Sequence, residues 1–231
     1  QNNTLFLGQS GEAYQLVWTI MTNCLGYSDT VDISFAMVNV PECDSVLLDT
    51  RDSTVYPVVR IGNQCWMAKN LNVGTFATSI FTHWHNVHSD VSNNGIIEKY
   101  CYNNDTANCG IWGGLYDWDE MMNYVYVEGT QGICPPANGW HIPSDNEWKI
   151  MEGNIDSYHG VGDPVWDLDG VIRGSDAGGN LKEEGYTHWD EPNFGATNSS
   201  GFTAIPSGLR YFAGVFQNLN DYTMFWTSTQ Y

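Results

Sequence analysis

Pro143-Ser144-Asp145-Asn146-Glu147-Trp148-Lys149-Ile150-Met151 carries the strongest local signal in the chain. Ser144 and Glu147 have the S-x-x-E spacing of a capping box, in which each side chain satisfies an orphan amide of the first helical turn. Trp148 and Met151 then fall at i and i+3 on one face, which predicts a helix with an aromatic buried side. Upstream, Trp118, Met121, Met122 and Val125 recur at i, i+3, i+4 and i+7 and predict a second helix over Tyr116 to Tyr126. Val55 to Ile61 reads as a strand, with Gln64-Cys65-Trp66-Met67 as a second apolar patch in a hairpin-like stretch. Residues 70–115 are rich in Asn, Thr, Ser and His without a sustained period and read as loop. Beyond Gly170 the chain turns to Gly, Asn, Ser and aromatics, with short strands around Phe202 to Ile205 and Met224 to Trp226. No internal repeat has a fixed period.

Further out, residues 1–40 read differently. Tyr14 to Ile20 is rich in strand formers, and Asp29 to Ala36 alternates apolar and polar with period two. Trp18 lies six residues ahead of Cys24, an order that resembles the closing hairpin of an immunoglobulin-like or PKD-like repeat. Its opening strands are then expected upstream of Gln1. Pro41 ends the last strand, so the boundary falls at Val40-Pro41-Glu42-Cys43, between β-sandwich strands over 1–40 and a second module over 41–231.

Composition narrows the function. Hydrophobic residues make up 42% of 231, enough for a core, while charged residues are only 15%. Eight Lys and Arg face 27 Asp and Glu, a net charge of -19, which repels a phosphate backbone and argues against nucleic acid and anionic lipid. No apolar run approaches the 18 residues of a membrane span. Gln1 is neither an initiator Met nor the start of a signal peptide, so the chain reads as processed or as starting in mid-protein. The six cysteines, Cys24, Cys43, Cys65, Cys101, Cys109 and Cys134, contain no C-x-x-C pair. Such spacing favours disulfides in an oxidising, extracellular compartment over zinc. Cys101–Cys109 spans a short loop whose ends can meet, Cys43–Cys65 is a second expected pair, and Cys24 and Cys134 are expected to pair outside the sequence given.

Several stretches together resemble the Fibrobacter succinogenes major paralogous domain, a module of bacterial surface proteins. They are Val59 to Leu71, Tyr100 to Asp105, Cys134-Pro135 with Gly139 to Ser144, Gly195 to Asn198 with Gly201-Phe202, and Phe225 to Thr229. The resemblance implies an α+β, C-type-lectin-like module with two helices and short antiparallel strands, distantly related to formylglycine-generating enzymes. It also implies a large exported host protein at the cell surface, delivered by type 9 secretion. Members normally end in a further strand with an Arg-Cys pair, which this sequence lacks after Phe225-Trp226.

Catalysis finds little support. There is no G-x-S-x-G, H-E-x-x-H or P-loop. The chemistry of formylglycine-generating relatives needs late cysteines, and none follows Cys134. His83, His85 and His88 form a cluster with metal-like i, i+2 spacing, although His is also an ordinary polar residue in such a loop. The acid pairs Asp117/Glu120 and Asp167/Asp169 suit glycoside hydrolysis only if burial raises one pKa. A non-enzymatic reading is therefore preferred.

Ten Trp and thirteen Tyr favour binding, because flat aromatic faces stack on sugars and anchor protein interfaces. Trp66, Trp118, Trp140, Trp148 and Trp226 are assigned to the core. Trp84, Trp112, Trp166, Trp189 and Tyr211 stand in polar, Gly-rich surroundings, where at least some are expected to be exposed. Glu191-Pro192-Asn193 resembles the triplet by which C-type lectins hold calcium and a sugar, which makes Glu191 and Asn193 candidate calcium ligands. The triplet's usual Trp-Asn-Asp companion is missing.

The ligand-binding set is Trp189, Asp190, Glu191, Asn193, Phe194 and Tyr211, on the irregular region between Lys182 and Tyr211. The expected ligand is a glycan or a surface protein, with other domains of the same long chain as further partners. The rival readings are a structural spacer or cap and a carbohydrate-active enzyme. Finally, Asp29-Thr30-Val31, Asp44-Ser45-Val46 and Asp105-Thr106-Ala107 resemble the O-glycosylation signal of Bacteroidota, with Thr30, Ser45 and Thr106 as acceptors.

Overall fold

The computed structural model describes residues 12–21, 26–34, 42–79, 91–137, 139–168, 172–211 and 213–230. The chain divides into two units, Gln1–Glu42 and Cys43–Tyr231.

In the first unit, β1 (Ala13–Met21) and β2 (Gly26–Ser34) form an antiparallel hairpin. Its register places Leu16 opposite Val31, Trp18 opposite Asp29 and Ile20 opposite Tyr27. Because side chains alternate across a strand, these residues share one face, and Gln15, Val17, Thr19, Ser28, Thr30 and Asp32 take the other. Trp18, Ile20 and Tyr27 are more than half exposed.

The second unit is α+β. Strands β3 (Val46–Asp49), β4 (Thr54–Ile61) and β5 (Gln64–Met67) make an antiparallel sheet in that order. The β4 and β5 strands match their expected spans. Asp49 is fully buried at the end of β3, and Arg51 satisfies it through Nε at 2.9 Å and Nη2 at 2.6 Å. The same Nη2 donates to the Ile133 carbonyl at 2.8 Å, joining the sheet to a distant loop. Helix α3 (Asp145–Ile155) begins as its cap predicts: Glu147 N donates to Ser144 Oγ and Ser144 N donates to Glu147 Oε2. Its inner face puts Trp148 and Met151 against Ile61, Trp66, Leu181, Phe202 and Ala204. The Trp66 and Trp148 rings lie 4.9 Å apart, and Phe202 meets both edge-on. A second cluster gathers Val73, Met121, Met122, Ile133, Cys134 and Ile142.

Elsewhere the structure corrects the sequence reading. The helix expected over Tyr116 to Tyr126 is the single turn α2 (Trp118–Met121). Asn123 and Tyr124 take positive φ, which turns the chain and leaves Val125 exposed. The 70–115 stretch, read as loop, holds α1 (Thr106–Trp112), with Asp105 accepting from Ala107 N as its cap. With α4 (Ala177–Leu181) the described residues contain four α-helices, where two were expected. The strand expected at Phe202 to Ile205 is one parallel bridge, Lys182 to Ala204, because Thr203 sits at φ 59°. Met224 to Trp226 forms no strand; Phe225 instead packs its ring 5.3 Å from that of Trp148. Two short pairs complete the unit. β6 (Thr75–Phe76) with β7 (Glu98–Lys99) is parallel, against the antiparallel expectation, and β8 (Leu209–Arg210) with β9 (Phe216–Gln217) is antiparallel. Among the described residues no helix is long and apolar enough to cross a membrane.

Candidate functional site

Helix α4 launches the loop that carries most of the candidate ligand-binding residues. Its Gly179 is required by packing: a Cβ there would lie 2.2 Å from the Gly195 carbonyl oxygen. The returning loop is thereby held against the helix, and Thr197 N donates to Gly179 O at 3.0 Å.

Trp189 is the anchor of this loop. It was expected at the surface but is only 7% exposed, and its indole N–H donates to Ala204 O at 3.0 Å. Lys182 lies over the ring at 4.6 Å and donates to Phe194 O at 3.1 Å. Burial lowers the Lys182 pKa. Asn193 turns inward, its amide donating to Glu183 O at 2.8 Å and Gly185 O at 2.9 Å. Glu183 accepts His188 Nδ1 at 2.9 Å, and the His188 ring meets Trp112 edge-on. Asp190 N donates to Asn220 O at 2.8 Å.

What remains outside is specific. Phe194 is 80% exposed and Tyr186 is 61% exposed, and the same loop exposes Glu184, Asp190 and Glu191. Tyr211, 47% exposed, stands where β8 turns towards β9. Tyr186 was missed by the sequence reading, although its Gly185 and Thr187 neighbours have the same polar, flexible character that drew attention to the later positions. The loop therefore presents apolar rings and carboxylates on a backbone fixed by its own hydrogen bonds.

Glu191 and Asn193, the candidate calcium ligands, differ in exposure. The Glu191 carboxylate is exposed, while Asn193 Oδ1 is buried without a partner. The Glu191–Pro192 peptide is cis. Among the described residues no three His, Cys, Asp or Glu side chains converge as a metal site. His83, His85, His88 and Trp84 lie outside the described residues.

Three of the four paired acids lie among the described residues, and each has a partner. Glu120 is 2% exposed; its Oε1 accepts Glu98 N at 2.8 Å and its Oε2 accepts Tyr124 OH at 3.0 Å. Burial raises its pKa. Asp117 precedes α2, 3.8 Å from Arg210. Asp167 accepts Lys149 at 2.8 Å, and Asp169 lies outside the described residues.

Both expected disulfides are formed, Cys43–Cys65 and Cys101–Cys109. Cys134 is a free, buried thiol, its pKa pushed up to about 12 by burial. Cys24 lies outside the described residues. Of the aromatics among which at least some exposure was expected, Tyr211 is exposed while Trp112 and Trp166 are buried; Trp118 and Trp140 are half-buried. Trp226, assigned to the core, is 53% exposed and lines an open trough of about 530 Å³ with Trp118, Phe225, Thr227, Thr229 and Gln230. Thr30, Ser45 and Thr106 are all exposed.

Compared with known proteins, residues 59–231 match the family model described as the Fibrobacter succinogenes major domain. No curated protein and no solved structure matches the chain significantly.

Proposed function

The chain belongs to the Fibrobacter succinogenes major domain family, and from that premise we propose that it is a non-catalytic binding or adhesion module of a large exported surface protein. In this reading the second unit is a C-type-lectin-like scaffold, and the hairpin of the first closes an immunoglobulin-like repeat. The ligand is a glycan or a partner protein. The observation that carries the proposal is Phe194: a large apolar ring, 80% exposed, on a loop whose backbone is fixed by Trp189, Lys182 and Asn193. An exposed ring on a rigid loop loses little entropy when a ligand covers it. Two disulfides support an oxidising, extracellular location.

A glycan array and a surface-protein pull-down with the full-length host protein test the proposal, with Phe194→Ala as the control. Loss of a captured ligand in Phe194→Ala, at unchanged melting temperature, supports binding through this loop. No ligand in either format leaves the spacer reading in place, and turnover of an arrayed glycan favours an enzyme. Calcium enters only through Glu191 and Asn193 and is tested separately. A melting temperature unmoved by calcium or by EDTA removes it from the proposal.

A further inference from the structure

We infer that His141 is held as an imidazolium at neutral pH and acts as a charge-operated latch on the start of helix α3. The inference rests on hydrogen-bond chemistry at both ring nitrogens. His141 Nδ1 lies 2.7 Å from the Gly139 carbonyl oxygen, and Nε2 lies 2.7 Å from Glu147 Oε1. A carbonyl oxygen accepts only, and an ionised carboxylate accepts only. Both ring nitrogens must therefore carry hydrogen, whereas a neutral imidazole carries one.

A neutral alternative would place the proton on Glu147 and let Nε2 accept it. The surroundings of Glu147 oppose this. Its second oxygen, Oε2, already accepts Ser144 N at 2.8 Å and Ser144 Oγ at 2.9 Å. Burial acts to raise the Glu147 pKa, but these donors and His141 outweigh it and hold the carboxyl below its ordinary value. Burial likewise opposes the charge on His141, and the Gly139 carbonyl and Glu147 carboxylate outweigh it to raise that pKa. The two directions agree on an ion pair.

The charged group facing His141 is Glu147 of α3, and its own loop supplies the Gly139 carbonyl. The neighbouring Asp145 is occupied by Lys149 at 2.9 Å and Arg173 at 3.3 Å. The latch sits at a junction: Pro143 O accepts Ser228 N at 2.8 Å, and Asp145 N donates to Thr229 Oγ1 at 2.9 Å. When His141 loses its proton, one of its two bonds must go, and the 139–143 loop loses a tie either to itself or to α3. A raised His pKa gives stability that is complete below the ordinary value of about 6.5 and is lost as pH rises through the folded-state pKa.

The test is nitrogen-15 NMR of the histidine rings in the intact chain, alongside melting curves from pH 6 to 9. Expected are two protonated ring nitrogens on His141 at pH 7 and a titration midpoint above that of free histidine. The midpoint should fall back in Glu147→Gln. The wild-type melting temperature should decline across the midpoint, and His141→Gln should lose that step. A single neutral tautomer at pH 7, or a midpoint at or below the ordinary value, overturns the inference. Since the NMR arm needs only the wild-type chain, a variant that fails to fold does not remove the test.

Discussion

Trp189 and Phe194 stand five positions apart in the same Gly- and Asn-rich stretch, and the fold treats them oppositely. Nothing in their local sequence separates them, because burial here is decided by Lys182 and Ala204, residues that only the folded chain brings to Trp189. Trp189→Ala should therefore cost about 3–5 kcal/mol as a buried aromatic, while Phe194→Ala should stay within about 0.5 kcal/mol. Urea unfolding of the two variants checks the contrast, and equal losses would remove Phe194 as a free contact. Asp156 is a second case that sequence could not rank. As the residue after α3 it accepts amides from Tyr158, His159, Ser175, Asp176 and Ala177, and these bonds hold its pKa down against the opposing effect of burial. A lowered acid pKa gives stability present above the unfolded value of about 3.9 and lost as pH falls through the folded value. Asp156→Asn should lose about 1–3 kcal/mol at neutral pH and flatten the acid limb of a pH–stability curve.

Elements were legible where their signals are local. The capping box announces α3 because both partners of the cap lie within one turn, and β4 and β5 follow from their own side chains. Ser144→Ala should cost about 1 kcal/mol, as lost caps do, measured by the denaturation midpoint. Glu147→Ala should cost more than Ser144→Ala, since it removes the reciprocal cap and the His141 partner together. Equal costs would show that His141 adds nothing to the corner. The misread elements failed for an identifiable reason. The apolar spacing of Trp118, Met121, Met122 and Val125 fits a helix, but Asn123 and Tyr124 enter the left-handed region after one turn. Spacing cannot register such a turn. Phe225 and Trp226 look like a strand by composition, yet their rings are placed by aromatic contacts and by Trp226 Nε1 donating to Tyr116 O.

Across the whole molecule, short elements and long connections leave much of the order to tertiary ties, which raises the weight of the cross-links. The cysteine spacing made both pairs readable, because a short span can close and a chain without C-x-x-C has few other uses for cysteine. Their contributions should differ with the loop each one closes. Cys43–Cys65 spans 22 positions and Cys101–Cys109 spans 8. Loop entropy then gives about 3 kcal/mol for the first and roughly 1 kcal/mol less for the second. Paired Cys→Ser variants, unfolded in urea, should rank in that order. The second pair has a structural role that this entropy does not count, because it ties Cys109 within α1 to Cys101 ahead of the helix, in a buried corner with Tyr100 and Tyr102. If Cys101→Ser/Cys109→Ser proves the more damaging variant, packing at that corner outweighs chain entropy, and the loop around α1 depends on its cross-link to stay folded.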